Sequence, residues 1–247
     1  FFLLFSLYRV YPNSIKEDAF MAAYKSVRRK RMITLVVYTL MLLSAWTIYQ
    51  LGVFAVFYDN IPILGLIIRN SIKYIIWTLP VLILLRHVYF SNPIEYLKLG
   101  GDVANGLVWG IAIGLIIVIY HAIRFFFIGD GSLRFDIDIY TWVHKIILIG
   151  FTEEVVFRGF ILQKINEELE FIFANGIASI LYVLIHIPRW YIDGLLQSEK
   201  RPYLLASAGF VLVFGLVQGY VLKKTKSLWA CMVIHSINNL VTIIIGI

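Results

Sequence analysis

The stretch ITLVVYTLMLLSAWTIYQLGVFAVF, residues 33–57, carries no charged side chain over 25 residues. A helix needs about 20 apolar residues to cross about 30 Å of hydrocarbon, so this stretch predicts a membrane span. The whole chain shares its character, because 60% of the 247 residues are hydrophobic and only 15% are charged. Soluble domains are roughly 45–50% apolar and about 25% charged. The composition also excludes a disordered chain, and the single cysteine, Cys231, excludes a disulfide scaffold.

Six further apolar segments resemble the first one in length and hydropathy. With the first span, the predicted series is 33–57, about 72–90, 106–128, 141–163, 171–187, 203–222 and 228–247. Residues 1–11 are too short to span, and we interpret them as the end of a truncated helix or an interfacial piece. The sequence therefore predicts an all-α, polytopic membrane bundle of 7–8 transmembrane helices.

The net charge of +7 raises the question of a nucleic-acid partner. The 22 Lys and Arg residues, however, cluster between the apolar runs instead of along one face, which is typical of membrane topology. We therefore expect membrane lipid, and no nucleic acid, as a partner. The clusters Lys25–Arg31 and Lys223–Lys226 fall on one side of seven alternating spans, which should be the cytosol. The same alternation places the loop Pro188–Pro202 outside, despite its basic residues.

Adjacent carboxylates stand in the middle of the apolar segment Phe151-Thr-Glu-Glu-Val-Val-Phe-Arg-Gly159. Insertion of an ionisable group into hydrocarbon costs roughly 2.5–3.5 kcal/mol, so each of these carboxylates needs a counter-ion or a functional role. Neighbours on a helix point about 100° apart, so Glu153 and Glu154 cannot serve the same site in the same way. Glu154 and Arg158 form a favourable i,i+4 pair. Glu153 is then left without a local partner, and a carboxylate in an apolar site can act as a general base.

Two later segments carry polar i,i+4 pairs. Tyr182 and His186 share one helix face, and so do His235 and Asn239 in the last span. The last pair suits an oxyanion site built from fixed donors, a metal site with imidazole ligands, or polar contacts between helices. Counted along their helices, Glu153, His186, His235 and Asn239 all fall within the middle half of a bilayer, so they could line one cavity.

These three motifs, in this order, resemble the CPBP family of CAAX proteases and bacteriocin-processing enzymes, also called the Abi family. The resemblance covers about Tyr140 to Leu240 and includes the flanking Phe157-Arg158-Gly159-Phe160. One departure is Tyr182, where the family usually has Phe; we expect its ring to pack beside the histidine. The resemblance divides the chain into N-terminal transmembrane helices, residues 1–135, and a CPBP core, residues 136–247.

The resemblance implies an intramembrane endopeptidase of the kind represented by the Ras-converting enzyme, which trims prenylated proteins. It implies that Glu153 and His186 activate a water and that His235 and Asn239 form an oxyanion hole. Glu154, Arg158 and Tyr182 would support the site. We favour a metal-free glutamate mechanism without cofactor, because no HExxH pair defines a zinc site. Zinc held by Glu153, His186, His235 and Asn239 is the alternative.

Two other functions compete with peptidase activity. The same fold would fit a non-proteolytic membrane protein, such as a bacteriocin-immunity or scaffolding protein, which would be free to lose Glu153, His186 or His235. A transporter would show inverted halves with matching broken helices, and the sequence has none. We therefore expect a multi-pass protein of a bacterial cell membrane that cleaves a membrane-associated protein or peptide precursor.

Overall fold

The computed structural model describes residues 14–54, 63–128 and 132–246, and the predicted segment 1–11 lies outside these residues. The all-α prediction is confirmed, because the described residues form helices and contain no strand. The chain divides into two compact units whose boundary falls between Met41 and Leu42. The predicted division at residue 135 stays a prediction.

Nine helical segments follow one another along the described chain. They are α1 (Ser14–Ile48 continued by Tyr49–Phe54), α2 (Ile63–Ile83 continued by Leu84–Val88), α3 (Pro93–Tyr96), α4 (Val103–Ile128), α5 (the consecutive elements Thr141–Leu148, Ile149–Glu154, Val155–Leu162 and Gln163–Asn166), α6 (Phe171–Leu184), α7 (Ile187–Ile192), α8 (Ser198–Lys200 continued by Arg201–Thr225) and α9 (Leu228–Ile245). Helix α7 begins one residue before the predicted loop Pro188–Pro202 and extends into it, so part of that loop is helical. Proline at the first turn of a helix is well tolerated, because the N–H it lacks has no helical partner there.

Six of the described helical stretches are long and apolar enough to cross a membrane. They are Phe20–Gly52, Ser71–Val88, Val103–Phe127, Phe171–Ile192, Ser198–Thr225 and Leu228–Ile245. The chain is therefore a multi-pass integral membrane protein. The remaining predicted span, 141–163, forms α5, which is helical but is not among the six.

Helix α5 is irregular at the position of its carboxylates. The α-helical turns Ile149–Glu154 stand between two π-helical stretches, Thr141–Leu148 and Val155–Leu162. Widened π turns are rare and often occur at functional sites. Asp138 caps the start of the segment by accepting hydrogen bonds from the backbone N–H and the hydroxyl of Thr141, and these bonds lower the pKa of Asp138.

Three glycines set the distance between α4 and α9. Gly106, Gly110 and Gly114 recur at a spacing of four residues, which places them on one face of α4. A Cβ atom at Gly110 would lie 2.7 Å from Cβ of Val233, and added atoms at Gly106 and Gly114 would meet Ser227 and Ile237. Small residues at this spacing let membrane helices approach closely. The close approach fixes α9, which carries the third polar motif.

We predict that Gly110→Ala destabilises the protein. The added methyl group would collide with α9, and overpacking of this kind costs about 1–3 kcal/mol. The matched control is Gly209→Ala on α8, where a Cβ atom would meet nothing within 4 Å. Alanine should be neutral or stabilising there by up to about 1 kcal/mol. Thermal unfolding in one detergent should rank Gly209→Ala above Gly110→Ala, and equal melting temperatures would contradict the close packing.

Candidate active site

Glu154 is the structural carboxylate of α5. It is fully buried and forms the ion pair that its spacing predicts, with Arg158 Nη1 3.2 Å from Glu154 Oε1. The same oxygen lies 2.7 Å from Nδ1 of His235, a residue of α9. Arg158 is also packed over the ring of Tyr182, with its guanidinium carbon 4.1 Å from the ring centroid. Glu154 thus joins α5 to α9, and Arg158 joins α5 to α6.

Glu153 has a partner on another helix, which no local spacing in the sequence revealed. The ammonium group of Lys73, on α2, donates a 2.7 Å hydrogen bond to Glu153 Oε1. Both residues are 7% exposed, so this is a buried ion pair. The two residues are 80 positions apart, and no local spacing could have signalled their contact. The ammonium compensates the charge that makes a carboxylate costly inside a membrane.

Two tryptophans enclose the ammonium group of Lys73. Its Nζ atom lies 4.6 Å from the ring centroid of Trp77 and 5.5 Å from that of Trp46. The two indole rings contact each other edge to face at 5.0 Å. A cation over an aromatic face is stabilised by about 0.5–2 kcal/mol, and more when the pair is desolvated. Lys73 is therefore held by aromatic faces and directed at Glu153.

Tyr182 contacts Glu153 directly. Its ring packs edge to face against His186 at 4.8 Å, as expected, but its hydroxyl also donates a 3.0 Å hydrogen bond to Glu153 Oε2. A phenylalanine at this position would keep the ring contact and lose the hydrogen bond. The hydrogen bond to Glu153 is thus the contact that the departure from the family pattern adds.

The backbone fixes the tautomer of His186. Its Nδ1 lies 2.7 Å from the backbone carbonyl oxygen of Tyr182, which can only accept a hydrogen bond, so Nδ1 carries the proton. In the neutral ring Nε2 is then the basic nitrogen. His186 is partly exposed and interacts electrostatically with Glu153.

His235 lies between the two carboxylates. Its Nδ1 is bonded to Glu154, and its Nε2 is 3.8 Å from Glu153 Oε2. The ring is 4% exposed and packs edge to face against Phe214 at 5.5 Å. Gly150 permits this position, because a Cβ atom there would lie 3.2 Å from Cβ of His235. As a neutral ring His235 can accept a proton at Nε2, and as an imidazolium it can donate from that atom.

The side-chain amide of Asn239 is bonded to the backbone of α5. It lies one turn beyond His235 on α9, and its amide nitrogen donates a 2.9 Å hydrogen bond to the backbone carbonyl oxygen of Lys145. The structure therefore gathers Glu153, His186 and His235 and leaves the Asn239 amide bonded to α5. The paired donor role of His235 and Asn239 stays a prediction.

The donor set does not fit a metal ion in this arrangement. A cation bound to Glu153 would share that carboxylate with the ammonium of Lys73, and like charges at this distance repel. Over the described ranges, no group of three or more His, Cys, Asp or Glu side chains is arranged to hold a metal.

One comparison with known proteins identifies the second half of the chain. The model of the family "Type II CAAX prenyl endopeptidase Rce1-like" matches residues 136–241. No curated protein and no solved structure matches the chain. The chain thus contains a domain of the Rce1-like type II CAAX prenyl endopeptidase (CPBP) family, and all three polar motifs fall inside it. The resemblance inferred from the motifs is confirmed, whereas Lys73 lies outside the matched residues.

We predict that Lys73→Met leaves Glu153 protonated. An unpaired buried carboxylate is costly enough that it takes up a proton instead. A hydrophobic carbodiimide, which reacts with protonated carboxyl groups, should then label Glu153 in Lys73→Met and spare it in the wild-type protein, as mass spectrometry of peptides would show. Glu154 should stay unlabelled in both, since Arg158 still pairs with it.

Two variants control this labelling experiment. Lys73→Arg keeps the positive charge and should protect Glu153, while Lys200→Met removes an exposed lysine elsewhere and should change nothing. Equal labelling of Glu153 in the wild type and in Lys73→Met would mean that the ion pair does not determine the protonation of this carboxylate.

Proposed function

We propose that the protein is an intramembrane endopeptidase that hydrolyses a peptide bond with a water activated by Glu153 and His186. The observation that carries the proposal is the buried cluster of Glu153, Tyr182 and His235, which stands beside His186 inside the family-matched segment. A protein or peptide substrate follows from the family.

Glu153 can orient the attacking water through one oxygen. Its Oε1 is bonded to Lys73, so Oε2 is the atom that faces His235 and Tyr182. In the proposed step the water oxygen attacks the carbonyl carbon of the scissile bond, and its proton passes to Glu153 or to Nε2 of His186. The proton then moves to the amide nitrogen as the C–N bond breaks, which yields a free carboxylate and a free amine. General acid–base catalysis of this kind contributes typically 100–10,000-fold.

His235 is placed to stabilise the oxyanion of the tetrahedral intermediate. With its Nδ1 proton held by Glu154, an imidazolium at this position would donate from Nε2 into the cluster. A fixed donor in a site that excludes water is worth about 100–1,000-fold in rate. The family resemblance implies that Asn239 also donates to the oxyanion. For this its amide would have to leave the Lys145 carbonyl and bond the substrate oxygen instead.

The substrate that we expect is a membrane-associated peptide precursor, and the location that we expect is a bacterial cell membrane. The alternative is a non-proteolytic protein of the same fold, such as an immunity or scaffolding protein. A protein of that kind would be free to lose Glu153, His186 or His235. The presence of all three therefore favours the enzyme.

We predict that Glu153→Gln and His186→Ala each lower kcat at least about 100-fold without unfolding the protein. The measurement is cleavage of a peptide library by the purified protein in lipid, with mass spectrometry of the products and a melting curve for each variant. Glu199→Gln and His87→Ala, both at exposed positions, are the matched controls and should keep wild-type turnover. Folded Glu153→Gln or His186→Ala protein with unchanged kcat would refute the assignment of water activation.

We predict that prolonged chelation leaves this activity unchanged. The ammonium of Lys73 on Glu153 Oε1 already supplies the positive charge that this carboxylate needs, and it would repel a metal cation bound to the same group. The measurement is elemental analysis of the purified protein together with turnover before chelation, after chelation and after zinc is returned. About one zinc per chain, with activity that follows its removal and return, would establish the zinc mechanism instead.

A further inference from the structure

A cavity of about 480 Å³ opens beside the end of α8, away from the catalytic cluster. Its lining includes the side chains of Lys98, Lys223 and Lys226. The apolar part of the lining, here called the floor, consists of Leu162, Leu222 and Phe171, and the ammonium of Lys223 lies 4.2 Å from the centroid of the Phe171 ring. A rim of cations over an apolar floor matches the chemistry of an amphiphile with an anionic head.

The acid that lines this cavity is already engaged. Glu167 Oε1 accepts a 2.7 Å hydrogen bond from the Tyr96 hydroxyl and lies 2.8 Å from the ammonium of Lys164. Over the described ranges, Lys98, Lys223 and Lys226 form no ion pair. The cavity therefore carries an excess of positive charge that the protein does not neutralise.

Main-chain contacts hold two of these lysines close to each other. Lys98 and Lys226 both adopt left-handed backbone conformations, with φ of 56° and 53°, where Gly or Asn is more usual. The backbone carbonyl of Lys98 accepts a hydrogen bond from the N–H of Leu228, the first residue of α9. The indole of Trp229 donates to the carbonyl of Leu99, which fixes the same loop. The lysines are thus presented by a fixed turn.

The surroundings of Lys98 disfavour its positively charged form. Burial lowers the pKa of Lys98, and the like charge of Lys226 acts in the same direction. An anion in the cavity would stabilise the charged forms of both Lys98 and Lys226. The cavity also stands at the end of α8 whose basic cluster, Lys223–Lys226, the sequence places on the cytosolic side, where leaflets are rich in anionic lipid.

We propose that this cavity binds the phosphate of an anionic phospholipid headgroup, with Lys98, Lys223 and Lys226 as its ligands and the upper part of an acyl chain on the apolar floor. The site is separate from the peptidase cluster. A test that measures binding alone therefore stands whether or not the chain cleaves peptides.

The probes are phosphatidylglycerol, phosphatidylcholine and inorganic phosphate, each added to delipidated full-length protein in detergent and followed by native mass spectrometry. We expect one phosphatidylglycerol per chain and no comparable retention of phosphatidylcholine. Inorganic phosphate should compete only at much higher concentration. Equal binding of the two lipids would overturn the proposal, and inorganic phosphate that binds as tightly as the lipid would make the occupant a free anion.

Variants of the lysine pair provide the second arm. Each lysine near an anionic headgroup contributes about fivefold in affinity, so Lys98→Gln with Lys226→Gln should weaken phosphatidylglycerol binding about 30-fold. Lys98→Arg with Lys226→Arg should keep it, and Lys145→Gln with Lys200→Gln, which removes the same charge elsewhere, should not alter it. Unchanged affinity in the glutamine pair would refute the site. If that pair does not fold, the salt dependence of wild-type binding decides, because affinity that is indifferent to salt would exclude an electrostatic site.

Discussion

Neutralisation of charge inside the membrane is the constraint on which this structure depends. Helix α5 carries Glu153, Glu154 and Arg158 within six residues, and each is at most 7% exposed. An isolated ion in hydrocarbon costs at least a few kcal/mol, so α5 can occupy this position only where other helices complete its charge. Arg158 compensates Glu154 within α5, and Lys73 on α2 compensates Glu153. The packing of α2, α5 and α9 follows from these contacts.

The N-terminal half of the chain is therefore part of the site and not only a membrane anchor. Lys73 and the tryptophans that enclose its ammonium, Trp46 and Trp77, all precede the family-matched residues 136–241. Trp77 also packs edge to face against Phe157 on α5, with ring centroids 5.8 Å apart. The counter-ion of such a carboxylate could come from any helix that contacts α5. The family-matched segment alone therefore does not determine which cation neutralises Glu153.

Local features of the site could be predicted from sequence, and long-range ones could not. The pair of Glu154 with Arg158 follows from helical spacing, since four residues bring two side chains onto one face. The glycine face of α4 also rests on a local spacing, but its role was recognised only from the packing of Gly106, Gly110 and Gly114 against α9. The partner of Glu153 was not readable, because any of several buried cations satisfies the same electrostatic need and only the packing selects Lys73. For Asn239 the helix face was predicted but the bonding partner was not. The bond of its amide to a backbone carbonyl depends on how α9 is rotated against α5.

The roles of the two adjacent carboxylates separate because their partners differ in kind. Glu154 is bonded to Arg158 and His235 through one oxygen and has no exposed surface, so its chemistry is to hold other side chains. Glu153 keeps one oxygen on Lys73 and directs the other toward Tyr182 and His235. Because Glu154 occupies Nδ1 of His235, it also determines that Nε2 is the nitrogen turned toward Glu153. In the proposed mechanism Glu154 thus orients His235 for Glu153, and exchange of the two roles would require a rotation of α5 by about 100°, which the ion pairs on both faces prevent.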